Sequence, residues 1–150
     1  MEQTPDTQTP DTQTPDTQAI TPETSHLDES RFERGSRALA EIDGSSGAEV
    51  VASLADIAPD LGRYIIEFGF GDIYSRPGLA LREREIATIA ALTAMGTATP
   101  QLKVHIHAGL NVGLTREEII EIMIQMSAYA GFPAALNGVF AAKEVFANHA

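Results

Sequence analysis

The chain has 150 residues, 43% of them hydrophobic, a formal net charge of −11 and no cysteine. This is the size of one domain, and it excludes disulfides, thiolate metal sites, cysteine nucleophiles and dithiol redox pairs. Seven of the acids lie in residues 1–30, which hold no Lys or Arg, so residues 31–150, with 14 acids and 10 bases, carry only −4. No stretch gathers enough Lys or Arg to neutralise several phosphates, which argues against nucleic acid and an anionic membrane surface as partners.

Residues 3–17 are three copies of Gln-Thr-Pro-Asp-Thr. Proline every fifth residue blocks a helix, and the residues between have nothing to bury. The expectation is a low-complexity acidic tail over 1–27 and a single helical domain over 28–150. The first apolar pair, Ala19-Ile20, follows no basic segment, so no secretory leader is expected. The weakly polar run at 86–98 is too short for a bilayer, and a soluble, cytoplasmic protein is expected.

From residue 28 onward the apolar spacing is helical throughout. A first helix carries Phe32, Leu39 and Ile42 and is expected to stop at Gly44 and Gly47. A second holds Val50, Val51, Leu54 and Ile57 and ends before Pro59. A third carries Leu61, Tyr64, Ile65 and Phe68 toward Ile73, loosened by Gly69 and Gly71. Arg76-Pro77-Gly78 reads as a turn. The longest helix spans 81–97, and its first turn (Arg82, Glu83, Arg84, Glu85) reads as a solvated start. Pro100 suits the first position of a helix that runs to Gly113. Thr115 and Glu118 have the spacing of a capping box for the next helix, through Ile119, Ile122, Met123 and Met126. Pro133 opens the last, with Leu136, Phe140 and Val145. No segment alternates with period two for long enough to form a strand. The fold expected is all-α, a bundle of six to seven helices.

The fourth, sixth and seventh helices have apolar faces padded with Ala and Gly, wider than a domain this small can cover. Such faces bury against a second subunit, so a homo-oligomer is expected.

Polar residues concentrate in 71–79 and 101–107. His105 and His107, two apart on a helix, are rotated by about 200° from one another, so one metal ion does not take both. His105 shares its side with Gln101, Leu102, Ala108 and Gly109, where small residues leave room for a ligand or a neighbouring helix. A histidine there has the near-neutral pKa that a general acid or base needs. Arg76, on its turn, is either half of a local pair with Asp72 or a guanidinium fork for a carboxylate. Tyr129, near Gly131 and Pro133, offers a hydroxyl to a ligand or is a core residue with a wet tip. No phosphate loop, dinucleotide fingerprint or Ser-His-Asp order is present.

Four segments in one order, GDIYSRPGL (71–79), LREREIATIAAL (81–92), LKVHIHAGLNVGLTREEIIEI (102–122) and YAGFPAA (129–135), resemble the carboxymuconolactone decarboxylase family. The likeness is to its γ-carboxymuconolactone decarboxylase branch. The sister alkylhydroperoxidase-like branch works through a Cys-x-x-Cys pair that this chain lacks, so thiol peroxidase activity is excluded. The resemblance implies an alkylhydroperoxidase-like helical subunit assembled as a trimer or hexamer. It further implies a decarboxylase of a carboxylated lactone in aromatic compound catabolism, with no cofactor, because the lactone carbonyl is itself the electron sink. It suggests His105 and Asp72 as catalytic residues and Arg76, Arg84, His107 and Tyr129 as substrate-binding residues. His107 stands where the decarboxylase branch often has Arg. The alternatives are an isomerase or hydrolase on the same scaffold, or a non-catalytic oligomeric module.

Overall fold

Ser30 starts the fold by accepting a hydrogen bond from the Glu33 backbone N–H, while the Glu33 carboxylate accepts one from the N–H of Ser30. This reciprocal cap opens α1 (Arg31–Ala52). The computed structural model describes residues 29–148, and the expected tail at 1–27 lies outside them. Short turns over 53–57 lead to α2 (Pro59–Tyr64), which runs directly into a π-helix (Ile65–Tyr74). Four further helices follow: α3 (Leu81–Met95), α4 (Thr99–Asn111), α5 (Arg116–Ala130) and α6 (Phe132–Asn148). The described residues contain no strand, and the fold is all-α.

The first two expected helices are differently divided. Gly44 does break the helical geometry (φ 57°, ψ −132°), but the chain resumes its helix at once and carries Val50 and Val51 in the same element. Gly47 is therefore no terminator. A Cβ there would lie 2.4 Å from Leu39 Cδ1 and 2.7 Å from Asp43 Cβ, so the position must be bare for the two halves of α1 to meet at the kink. Farther along, Gly96 (φ 69°) closes α3 in the left-handed conformation. Thr115 and Glu118 form the expected capping box of α5.

Two cores share α4 as their common wall. Ile89, Leu102, Ile106, Leu114, Ile119 and Met123 fill the larger, between α3, α4, α5 and α6. Ala38, Leu39, Ile42, Ile66, Phe70 and Ala108 fill the smaller, between α1, the π-helix and α4. In the second, α1 and the π-helix touch backbone to backbone. A Cβ at Gly35 would sit 2.0 Å from the Ile66 carbonyl oxygen, and one at Gly71 2.6 Å from that of Arg31. Gly71 thus serves close approach, whereas Gly69 has nothing within 4 Å of a would-be Cβ. The π-helix places Tyr74 at its end with the hydroxyl directed back at α3, bonded to Thr88 Oγ1 at 2.7 Å.

No helix of the described residues is long and apolar enough to cross a membrane. Large apolar side chains remain exposed along the chain, and two groups of them stand out. One is Ile124, Tyr129, Phe132, Leu136 and Phe140 on α5 and α6, and the other is Leu61, Tyr64 and Phe68 on α2 and the π-helix.

Candidate active site

Glu85 lies four residues before Ile89 and eight before Thr93, on the face of α3 that turns inward, and all three are buried. The charged first turn of α3 is thus only partly solvated, contrary to the reading of 82–85 as a whole. Glu85 has no exposure at all, and its Oε2 lies 3.0 Å from His105 Nδ1 on α4. The His105 side chain keeps one-fifth of its exposure. The pair therefore has a closed acidic end and an imidazole end that solutes can reach. With Nδ1 engaged by the acid, Nε2 is the ring nitrogen left for chemistry.

Burial works against a charged imidazole, but the Glu85 hydrogen bond and the charges of Glu85 and Asp43 outweigh it and hold His105 above the ordinary histidine range. Asp43, on α1 just before the Gly44 kink, is 4% exposed. Burial pushes its carboxyl up to about 6, with His105 pulling it down and Glu85 pushing it further up. Tyr74 completes the group: burial and then the nearby Glu85 charge raise its phenol, which stays protonated and able to donate. Asp43 Oδ1 and Glu85 Oε1 are buried with no hydrogen-bond partner. Among the described residues, no three His, Asp, Glu or Cys side chains are grouped so as to hold a metal ion.

Tyr74 also lines a cleft of about 530 Å³, with Arg34, Arg37, Glu41, Arg76 and Leu81 among its walls. His105 and Glu85 do not line this cleft. Tyr74, its ring tilted against Phe70 with centroids 5.2 Å apart, lines the arginine-rich cleft and also feels the charge of Glu85.

The residues expected at the site are dispersed by the fold. Asp72 pairs with Arg31 and Arg34 of α1 rather than with Arg76, and those hydrogen bonds hold its carboxyl below the usual range. Arg76 lines the cleft, and its carbonyl accepts a 2.8 Å hydrogen bond from Arg84 Nη2, which fastens the turn to α3. His107 is turned away from His105, as the helical rotation requires, and lies 3.3 Å from Asn111 Nδ2. Tyr129 is 80% exposed at the far end of α5. The small residues beside His105 admit neighbouring helices: Ala108 packs into the smaller core, and a Cβ at Gly109 would be 3.0 Å from Leu114 and 3.1 Å from Ile89. Sequence reasoning missed Glu85, Asp43 and Tyr74. For Glu85 a signal was available, its i, i+4 spacing to the apolar Ile89.

Residues 59–144, which include Tyr74, Glu85 and His105, match the profile of the carboxymuconolactone decarboxylase family. The chain is 35% identical over 120 residues to a 4-carboxymuconolactone decarboxylase of Acinetobacter baylyi, an alignment covering 79% of this chain and 89% of the relative. It is 33% identical over 96 residues to an uncharacterised 15.0 kDa protein of Paracoccus denitrificans, covering 63% and 72%. It is 25% identical over 114 residues to a nitrosuccinic acid decarboxylase of Metarhizium robertsii, covering 75% and 79%. The absence of cysteine is consistent with the γ-carboxymuconolactone decarboxylase branch. The chain belongs to the carboxymuconolactone decarboxylase family.

Proposed function

We propose that this protein is a cofactor-free decarboxylase of a small carboxylated lactone, 4-carboxymuconolactone or a close analogue, serving the breakdown of aromatic compounds in the cytoplasm. The observation that carries the reading is the buried Glu85 carboxylate bonded to a partly reachable His105. The relative from Acinetobacter baylyi supports the substrate class.

In such a substrate the bond to the departing carboxylate breaks and its electron pair moves through the ring double bond into the lactone carbonyl. CO₂ leaves, and a dienolate remains. Its oxyanion needs a donor, and the ring carbon beside the carbonyl needs a proton. His105 is suited to both tasks, because Glu85 favours the charged imidazole and fixes Nδ1, so that Nε2 donates. Tyr74 is a second donor near the same acid. Arg76, with Arg34 and Arg37 in the cleft wall, supplies charge for the carboxylate that is retained. Asp72 acts by holding Arg34, and Arg84 by holding the Arg76 turn. This reading assigns no step to His107 or Tyr129. The exposed apolar side chains of α5 and α6 support assembly as a trimer or hexamer.

The test is ultraviolet and CO₂ assay of the purified full chain with 4-carboxymuconolactone. Loss of the unsaturated-lactone absorbance with one CO₂ per molecule is the expected result, and an unchanged substrate overturns it. The relative from Metarhizium robertsii favours a second reading, since a nitro group, like a lactone carbonyl, accepts an electron pair. CO₂ from nitrosuccinate but not from the lactone would select it.

A further inference from the structure

We propose that Thr88 is a positioning residue of this site: its hydroxyl holds the Tyr74 phenol in the arginine-lined cleft, where the phenol donates to the oxyanion of a bound lactone enolate. Tyr74 is the last residue of the π-helix, and three contacts fix it there. Gly71, three residues earlier, packs so closely on α1 that a Cβ would be 2.6 Å from the Arg31 carbonyl oxygen. Phe70 is buried and lies against the Tyr74 ring, with centroids 5.2 Å apart. The Phe70 carbonyl accepts from the backbone N–H of Ser75 at 3.1 Å and from its hydroxyl at 2.7 Å, which closes the helix directly after the tyrosine. A π-helical turn is rare and occurs frequently at functional sites.

The Tyr74 hydroxyl ends 2.7 Å from Thr88 Oγ1. Thr88 is half-buried on α3, three residues after Glu85 and so on the same side of that helix. The bond therefore joins the cleft, which Tyr74 lines with Arg34, Arg37 and Arg76, to the face of α3 that carries the acid of the Glu85–His105 pair. A threonine hydroxyl has one proton and two lone pairs, so it serves in either direction. Before a ligand arrives, it accepts from the phenol. With an oxyanion in the cleft, it turns and donates to the phenol oxygen, and the phenol O–H is directed at the ligand. A donor that itself accepts a hydrogen bond is polarised by it, which strengthens the bond it makes. Burial and the Glu85 charge keep the phenol protonated, as this role requires.

The inference rests on the reading of the site as one that stabilises a lactone enolate, and its test does without turnover. The probe is tetronate, a five-membered lactone that is an enolate anion at neutral pH, titrated into the full-length protein by calorimetry. Thr88→Val, which keeps the shape and removes the hydroxyl, is expected to weaken binding about 10-fold. Tyr74→Phe should weaken it at least as much, and Thr88→Ser should restore most of what Thr88→Val loses. The double variant should bind no more weakly than Tyr74→Phe, since Thr88 acts only through the phenol. Unchanged affinity in folded Thr88→Val overturns the proposal, and so do losses that add in the double variant. If Thr88→Val does not fold, Thr88→Ala takes its place in the same cycle. Absence of tetronate binding by the unaltered protein also overturns it. Binding with the expected pattern of losses, but no CO₂ from 4-carboxymuconolactone, would refute the proposed activity and leave Thr88 in its role. CO₂ release with additive losses would do the reverse.

Discussion

On α1, and near the end of the π-helix, two aspartates occupy opposite surroundings. Asp72 sits where the π-helix reaches the surface, against Arg31 and Arg34, and the arginine hydrogen bonds hold its carboxyl below the usual carboxylate range. Asp43 sits buried on α1 just before the Gly44 kink, where, among the described residues, the cation acting on it is an imidazole that titrates as well. A carboxylate with solvent and permanent cations is a fastener, and a buried carboxylate with a titratable partner is a proton site. The residue type is the same, and what differs is water and the permanence of the opposite charge. Chemistry is therefore expected from the buried group and anchoring from the turn.

The largest effect should come from the buried group. His105→Ala and Glu85→Gln should each lower turnover of the proposed lactone about 10²-fold or more while leaving the protein folded, as steady-state rates alongside circular dichroism would show. Full activity in either folded variant would dissolve the contrast between the two regions. The next effect is structural. Gly35→Ala must force α1 off the Ile66 carbonyl and should cost about 2 kcal/mol or more, read as a lower urea midpoint. Gly69→Ala, facing open space, should cost little.

The pH dependence of stability separates the regions by sign. Asp43 binds its proton more tightly when folded, so its contribution is present at about pH 4 and is lost as pH rises to about 6. His105, also raised, contributes below the ordinary histidine range and loses that contribution as pH rises through its folded midpoint. Asp72, Glu33 and Glu118 are lowered and act oppositely, contributing above the usual carboxylate range and losing it as pH falls through their folded midpoints. Urea midpoints measured from pH 3 to 8 should thus peak on the acidic side of neutrality, and Asp43→Asn should flatten the decline between about pH 4 and 6. A smaller effect is expected in the cleft, where Arg76→Ala should raise KM about 10-fold with little change in kcat, since it holds a carboxylate that does not react. Smallest of all, Asp72→Asn should leave the urea midpoint nearly unchanged, because its ion pairs are solvated. A larger shift would make the turn a part of the working site.

Much of the helical frame was legible because its signals are local. The capping box at Thr115 and Glu118 and the turn at Arg76-Pro77-Gly78 depend on residues within a few positions of each other. The opposed placement of His105 and His107 follows from rotation along a single helix. Gly44 and Gly47 were misread as one stop signal, since sequence shows that glycine permits a bend but not whether the chain resumes its helix beyond it. Gly71 was misread as loosening, because its reason is the Arg31 carbonyl, forty residues earlier in the chain.

The sequence by itself determined the all-α class, the absence of thiol chemistry and the family, and it offered His105 as a candidate. Each of these depends on composition, short-range periodicity or motif order. Only the tertiary structure decided which acid answers to that histidine. Glu85 is 20 residues away from it, Asp43 lies across a kinked helix, and Asp72, the nearer guess in the polar cluster, is turned outward to Arg31 and Arg34. Spacing along a helix sets the face on which a side chain lies, but its charge state depends on which other helices cover that face and exclude water.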